Sequence, residues 1–387
     1  MIAGGGVIAL LTAVECVSAG HEVVLVEQGE IPFAGATSFD WHRVIRALYL
    51  DDPAATAAAV QAHHRWIGLQ RRLSATFYEQ VGALTVLPTD DLTRARTMLT
   101  EAGAQARVLS PDELATRYPQ VWFPAGASAV FESDTGVLLA DRVLTACADW
   151  LRGHPNAELH PHRTVVGVDT ERAAIRLADG EVLAGEALLL AIGPWSRTLL
   201  PPELADELVL NRQSMIYCEV PEADAEAWAS MPAIPSLGTA GGGWLVPPVA
   251  GTPLKLSAAS ACRIVPELGD HDTPVRWREH LVDAFTGVIP GFRADWLVDA
   301  RDCYYLERAC TGGPMLALLG ERVLSYAACG GSSFKFAPLI ARSLTERLTG
   351  ADPAPTGLDP LDGGIVRAAP GPAARHRQAH PVMRGMS

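Results

Sequence analysis

Lys255 and Lys335 are the only lysines in a chain of 387 residues that carries 29 arginines. A composition this rich in Ala, Gly, Pro and Arg replaces lysine wherever arginine serves, so a lysine that remains marks a place where guanidinium chemistry fails. Lysine offers a compact charge on a flexible stem and a tunable pKa, whereas arginine is a planar fork that is always charged. Both lysines sit in apolar frames, Pro253-Leu254-Lys255-Leu256 and Ser333-Phe334-Lys335-Phe336. Surface lysines kept by chance are rarely flanked that way.

A second constellation opens the chain. Gly4-Gly5-Gly6-Val7-Ile8-Ala9 has the spacing G-x-G-x-x-A, an apolar helical stretch follows, and Gly20-His21 leads into Glu22-Val23-Val24-Leu25-Val26-Glu27. The chemistry this pattern serves is pyrophosphate binding. Gly4 permits a tight turn, Gly6 lets the backbone approach a pyrophosphate, and the small Ala9 lets helix pack closely on strand. The helix then offers free N–H groups and the positive end of its dipole to the phosphates. Glu27 falls 21 residues after Gly6, where a carboxylate accepts hydrogen bonds from ribose hydroxyls. Together these features predict a bound dinucleotide. Only Met1-Ile2-Ala3 precede the first glycine, so either the given start falls too late or the first strand is a stub, and a strand this short is expected to weaken the hold on that group.

The elements that must position these residues read as an α/β fold with an α+β second lobe. A strand is expected over 162–168, containing Val165, then a turn at Asp179-Gly180 and a buried strand that ends Ala191-Ile192-Gly193-Pro194-Trp195. Such a strand returns the chain beneath the dinucleotide in flavoproteins, which favours FAD over NAD. Strand runs near 214–220, 243–246 and 253–257 suggest a second, antiparallel sheet. A chain of this length, 49% hydrophobic and 19% charged, suits two well-buried lobes. A net charge of −13 with scattered basic residues argues against nucleic acid. No apolar run reaches the roughly 20 residues that span a bilayer, and residues 7–17 read as a buried helix rather than a secretion signal. Seven dispersed cysteines without a C-x-x-C pair suit a reducing cytoplasm and no metal site. The tail, 351–387, is rich in Pro, Gly, Ala and Arg and is expected to be disordered beyond about residue 366.

Five stretches together resemble the FAD-dependent amine and amino-acid oxidase superfamily (D-amino-acid oxidase-like), above all its monomeric sarcosine oxidase and N-methyltryptophan oxidase branch. They are residues 4–27; Gly35-Ala36-Thr37-Ser38-Phe39-Asp40-Trp41-His42-Arg43-Val44-Ile45-Arg46; Ala191 to Trp195; the Lys255 strand; and Asp302-Cys303-Tyr304-Tyr305 followed by Gly330-Gly331-Ser332-Ser333-Phe334-Lys335-Phe336. The resemblance implies a Rossmann-like FAD domain from 1–80, 137–210 and 300–350, interleaved with a mostly antiparallel substrate domain from 81–136 and 211–299. It also implies a monomer, small amine or amino-acid substrates and O2 as the electron acceptor.

Residue by residue, Arg43 matches an arginine beside the flavin ring and Arg46 one that holds the substrate carboxylate, both read as lying on one face of a helix. Lys255 matches the lysine that activates oxygen, where a fixed cation stabilises the charge developing on O2. Lys335 matches a lysine at the pyrimidine and substrate-carboxylate side, with Gly330 and Gly331 letting backbone N–H groups approach the cofactor. Cys303 matches the cysteine that forms a thioether to the flavin, and Tyr305 an active-site tyrosine. Cys310 and Cys329 are read as core. The family's two histidines before the first arginine are Ser38 and Phe39 here, a pocket histidine is Ala259, and His42 is a possible substitute. With Trp244, these changes suggest a rebuilt pocket for a larger or more apolar amine. The expected reaction is oxidation of a carboxylate-bearing secondary amine or cyclic imino acid to an imine with release of H2O2. Two alternatives stay open: a flavin dehydrogenase of a 2-hydroxy acid with another acceptor, and an impaired relative that binds FAD weakly.

Overall fold

The glycine-rich opening folds as its spacing requires, as the strand Ile2–Ala3, the helix Val7–Ser18 and the strand Val23–Val26. Gly4 adopts φ +114°, and a Cβ there would lie 2.3 Å from the Ala191 carbonyl oxygen, so only glycine fits where the turn crosses the neighbouring strand. These details come from a computed structural model that describes residues 1–237 and 242–368. The two-residue first strand pairs in parallel with both Val23–Val26 and Leu188–Leu190. Seven strands form this sheet, in the order Val366–Arg367, Pro314–Gly320, Val323–Cys329, Leu188–Leu190, Ile2–Ala3, Val23–Val26 and Ala157–His160. Its one antiparallel pairing joins Pro314–Gly320 to Val323–Cys329. The helix Val7–Ser18 is apolar nearly all round because it is packed between the helices Ala140–Arg152 and Ser333–Leu348.

A nine-stranded sheet carries the residues expected near the substrate. Its order is Cys262–Ile264, Leu208–Cys218, Leu254–Ala258, Gly243–Val246, Ala233–Ser236, Ala83–Leu87, Ser128–Glu132 and Ala106–Leu109, and Leu297–Arg308 pairs along Leu208–Cys218. All pairings are antiparallel except that of Ala233–Ser236 with Ala83–Leu87. The three strand runs predicted for it all form. The boundary expected between 299 and 300 falls inside the strand Leu297–Arg308.

Two readings need correction. Arg43 and Arg46 do not share a helix: His42–Ile45 is a strand, paired with Gly136–Leu139. The β-branched Val44 and Ile45 suit a pleated surface; Arg43 lies within the strand and Arg46 just past its end, so the two share no helical face. The strand expected over 162–168 begins at Val165, because His162 takes a left-handed turn conformation (φ +58°). The Asp179-Gly180 turn then links the hairpin strands Ala174–Leu177 and Val182–Ala184. Of the tail, Val366–Arg367 adds to the edge of the seven-stranded sheet, and the expectation of disorder further on falls outside the described residues. No helix among the described residues is long and apolar enough to cross a membrane.

Candidate active site

A cavity of about 470 Å³ runs from the glycine turn to the face of the nine-stranded sheet. At one end it is lined by Gly4, Gly6, Glu27, Val165 and Gly193, all of them expected cofactor residues. Ala9 lies beneath them, fully buried, at the packing position predicted for it. Gly6 precedes the helix Val7–Ser18 without a side-chain cap of its own, and the Val7 N–H donates to Ser38 Oγ at 3.1 Å. Glu27 accepts from Gly5 N–H at 2.6 Å and Gly29 N–H at 3.2 Å. Those two bonds leave lone pairs for further donors. Burial pushes its carboxyl pKa up, and the backbone N–H groups oppose the shift.

The other end of the cavity is a sheet face. Strand alternation and register put Trp244, Lys255, Gln213, Met215, Cys303 and Tyr305 on one surface: Tyr217 is paired with Lys255, Trp244 with Ser257, and Gln213 with Cys303. All six line the cavity. Lys255 is 2% exposed, and its ammonium lies 5.5 Å from the Trp244 ring centre and 5.7 Å from that of Tyr217. Burial pushes its pKa down to about 8, against the pull of Asp40. Arg43 lines the same wall, donating to Asp40, to the Thr37 carbonyl at 2.7 Å and to the His42 carbonyl at 3.1 Å. Cys303 is half-buried with Sγ 3.6 Å from the Thr37 carbonyl. Burial raises its thiol pKa while Arg43 draws it down. The Tyr305 hydroxyl lies 3.4 Å from Cys262 Sγ.

Arg46 and Lys335 are brought together, but beside the cavity rather than in its wall. Both sit over the Tyr49 ring, at 4.5 and 5.1 Å from its centre, and Lys335 donates to the Tyr49 hydroxyl at 2.9 Å. Neither makes an ion pair among the described residues. The buried Glu132 near them spends its oxygens on the backbone N–H groups of Ala47 and Leu48. Burial and Arg46 together hold the Lys335 pKa well below the usual lysine range.

Gly330 departs from its expected role. Its N–H donates to the Leu306 carbonyl at 3.0 Å and a Cβ would strike the Gly313 backbone at 2.6 Å, so it serves a backbone crossing; Gly331 alone of the pair lines the cavity. Of the residues thought to reshape the pocket, Trp244 lines it while Phe39 and Ala259 do not. His42, offered as a substitute for a family histidine, is fully buried and does not line the cavity. Its Nε2 lies 3.0 Å from the Pro253 carbonyl and Nδ1 is buried without a partner among the described residues.

A sequence family described as FAD dependent oxidoreductase matches residues 1–347. The chain belongs to that family. The chain is 24% identical over 228 residues to human peroxisomal sarcosine oxidase, covering 56% of each chain. It is 26% identical over 332 residues to the glycine oxidase of Pseudomonas putida, covering 77% of this chain and 87% of that one. The match to the human enzyme thus spans about half of that relative's length. Among solved structures, the open form of NikD, described as an unusual amino acid oxidase essential for nikkomycin biosynthesis, has a TM-score of 0.76 at 15% identity, covering 93% of this chain and 96% of that one. A modified fructosyl peptide oxidase from Aspergillus nidulans gives 0.76 at 20%, covering 96% and 94%. At such identities it is the fold that is shared.

The residues present fit FAD. A helix start whose only side-chain cap is Ser38 on the Val7 N–H, a glycine that leaves room at Gly193, and a carboxylate with spare lone pairs lie at one end of a cavity whose other end is aromatic and cationic. Three neighbours of this site escaped the sequence reading: Asp40, Tyr217 and Gln213. Gln213 Nε2 lies within 3.2 Å of the Ser214 and Ala258 carbonyls and Ser257 Oγ, which fixes the amide and leaves Oε1 without a partner among the described residues. Only the register could have revealed the last two; Asp40, an acid between Phe39 and Trp41, was the one visible signal.

Proposed function

We propose that this protein oxidises a secondary amine or cyclic amino acid bearing a carboxylate, with O2 as the acceptor. One C–H and one N–H hydrogen leave the substrate with two electrons, and O2 takes them to become H2O2. FAD, when bound, supplies the two-electron redox chemistry. The chain's own groups do the rest. Arg46 and Lys335 are two half-buried basic side chains without a carboxylate partner among the described residues, and a substrate carboxylate beside Tyr49 supplies the missing charge. Gln213 Oε1 accepts the substrate N–H and orients it, while Trp244 and Tyr305 exclude water from the wall. Lys255 holds a positive charge where O2 becomes negative.

The observation that carries this reading is Lys255, a buried ammonium in the wall of a cavity that begins at a dinucleotide motif. Lys255→Met is expected to slow flavin reoxidation by oxygen about 10²-fold or more while leaving anaerobic reduction by substrate nearly intact. Stopped-flow traces of the two half-reactions measure this, and equal slowing of both sinks the reading. Anaerobic bleaching against N-methyl amino acids, cyclic amino acids and 2-hydroxy acids then identifies the substrate class.

A further inference from the structure

We propose that Asp40 is the positioning residue of this site, holding the Lys255 ammonium against the cavity wall and keeping it charged there. Asp40 side-chain exposure is 2%, and each of its oxygens takes two donors. Oδ1 accepts from the Tyr217 hydroxyl at 2.6 Å and the Trp41 N–H at 2.7 Å. Oδ2 accepts from Lys255 Nζ at 2.5 Å and from Arg43. A carboxylate has about four such sites, so this one is saturated and its geometry is fixed by partners from four directions.

The charge count explains why it is needed. Arg43 and Lys255 are two cations in one buried wall, and Arg43 disfavours a second positive charge beside it. The other groups facing Lys255 are His42, Tyr217 and Cys303. Burial holds the His42 pKa down at about 3 and raises those of Tyr217 and Cys303, so none of the three carries charge near neutral pH. Asp40 is therefore the one compensating anion in this wall among the described residues. Burial alone would raise its own pKa, but Lys255 and Arg43 outweigh that and hold the carboxyl far below the usual range. Asp40 does not line the main cavity, so it acts through Lys255 rather than on a substrate. It also sits in the loop whose Ser38 caps the helix start and whose Thr37 hydroxyl donates to the Tyr304 carbonyl at 2.5 Å, so the nucleotide end and the lysine are held by one short segment.

The proposal rests on reading Lys255 as the cation used with oxygen, and one experiment separates the two ideas. The chain has two lysines, so holoenzyme labelled with ¹³C-lysine gives two sets of side-chain signals, assigned by the loss of one in Lys255→Met. Asp40→Asn is expected to lower the Lys255 titration midpoint by about 1–3 pH units, the effect of removing one close opposite charge. The pH profile of flavin reoxidation by oxygen should move down with it, while that of anaerobic reduction stays in place. An unchanged Lys255 midpoint overturns the proposal. A shifted midpoint with an unshifted oxygen profile upholds Asp40 and overturns the oxygen role of Lys255. If Asp40→Asn does not fold, ¹⁵N-lysine labelling of the wild type decides. Ammonium hydrogens of Lys255 that stay visible at neutral pH support the proposal, and hydrogens that exchange as fast as those of a surface lysine overturn it.

Discussion

His42 shows how the charged wall bears on the stability of single residues. It is fully buried, its Nδ1 has no partner among the described residues, and its pKa is pushed down to about 3, by burial first and by Lys255 second. An unfolded histidine titrates near 6.5. Between those values the unfolded chain binds a proton that the native chain refuses, so stability is full above about 6.5 and falls as the pH drops toward about 3. The loss from this one group is on the order of a few kcal/mol. His42→Gln, which keeps a donor for the Pro253 carbonyl, should flatten that limb when urea midpoints are measured against pH; a slope equal to wild type discounts the role. At this scale the sequence was a good guide where residue type is scarce. Two lysines among 29 arginines drew attention to Lys255, and the spacing drew it to Glu27. It was a poor guide where the role is conferred by a neighbour. Tyr217 matters because it is registered opposite Lys255, and Gln213 because the Ser257 hydroxyl and the Ala258 carbonyl hold its amide, and neither relation is local in sequence.

Elements were legible where a period or a turn residue dictated them. The glycine turn, the apolar helix and the acid-ended strand can be read directly, whereas two arginines three apart in 42–46 suggest one face of a helix that does not form. Pairing with Gly136–Leu139 decided otherwise, and a pairing 90 or more residues away leaves no local mark. The glycines separate backbone need from space. Gly4 and Gly193 both have positive φ, +114° and +61°, but a Cβ at Gly4 meets the Ala191 carbonyl at 2.3 Å whereas nothing lies within 4 Å of one at Gly193. Gly193→Ala should therefore cost only the left-handed penalty of about 1–2 kcal/mol. Gly4→Ala adds a backbone collision to its own positive-φ strain and should cost clearly more, with part of the seven-stranded sheet disturbed. Denaturant melts of both variants test this, and equal losses contradict the collision.

At the scale of the molecule, the cavity belongs to two sheets. Glu27 and the glycine turn approach it from the seven-stranded sheet, and Cys303 from the nine-stranded one, where it is registered opposite Gln213. Glu27, the glycine turn, their strand and Cys303 were legible in the sequence, but Gln213 and the strand Leu297–Arg308 that carries Cys303 were not. The sequence could not supply the order in which nine strands assemble, since that order is set by non-local pairing and by which face each strand must bury. A group held at both ends would tie the sheets together, and the thioether at Cys303 that the resemblance implies would make the tie covalent. Wild-type protein precipitated with acid should then keep its yellow colour, and its melting temperature should not depend on added FAD. Cys303→Ser should lose colour on precipitation and melt at a temperature that rises with FAD concentration, because a reversible ligand stabilises only by mass action. The Cys303 thiol is pushed up by burial and drawn down by Arg43, so Arg43→Gln should slow or prevent attachment in a preparation reconstituted with FAD. Colour released from the wild type by acid removes the covalent tie and leaves the nucleotide end to hold the cofactor through Glu27 and the helix start alone.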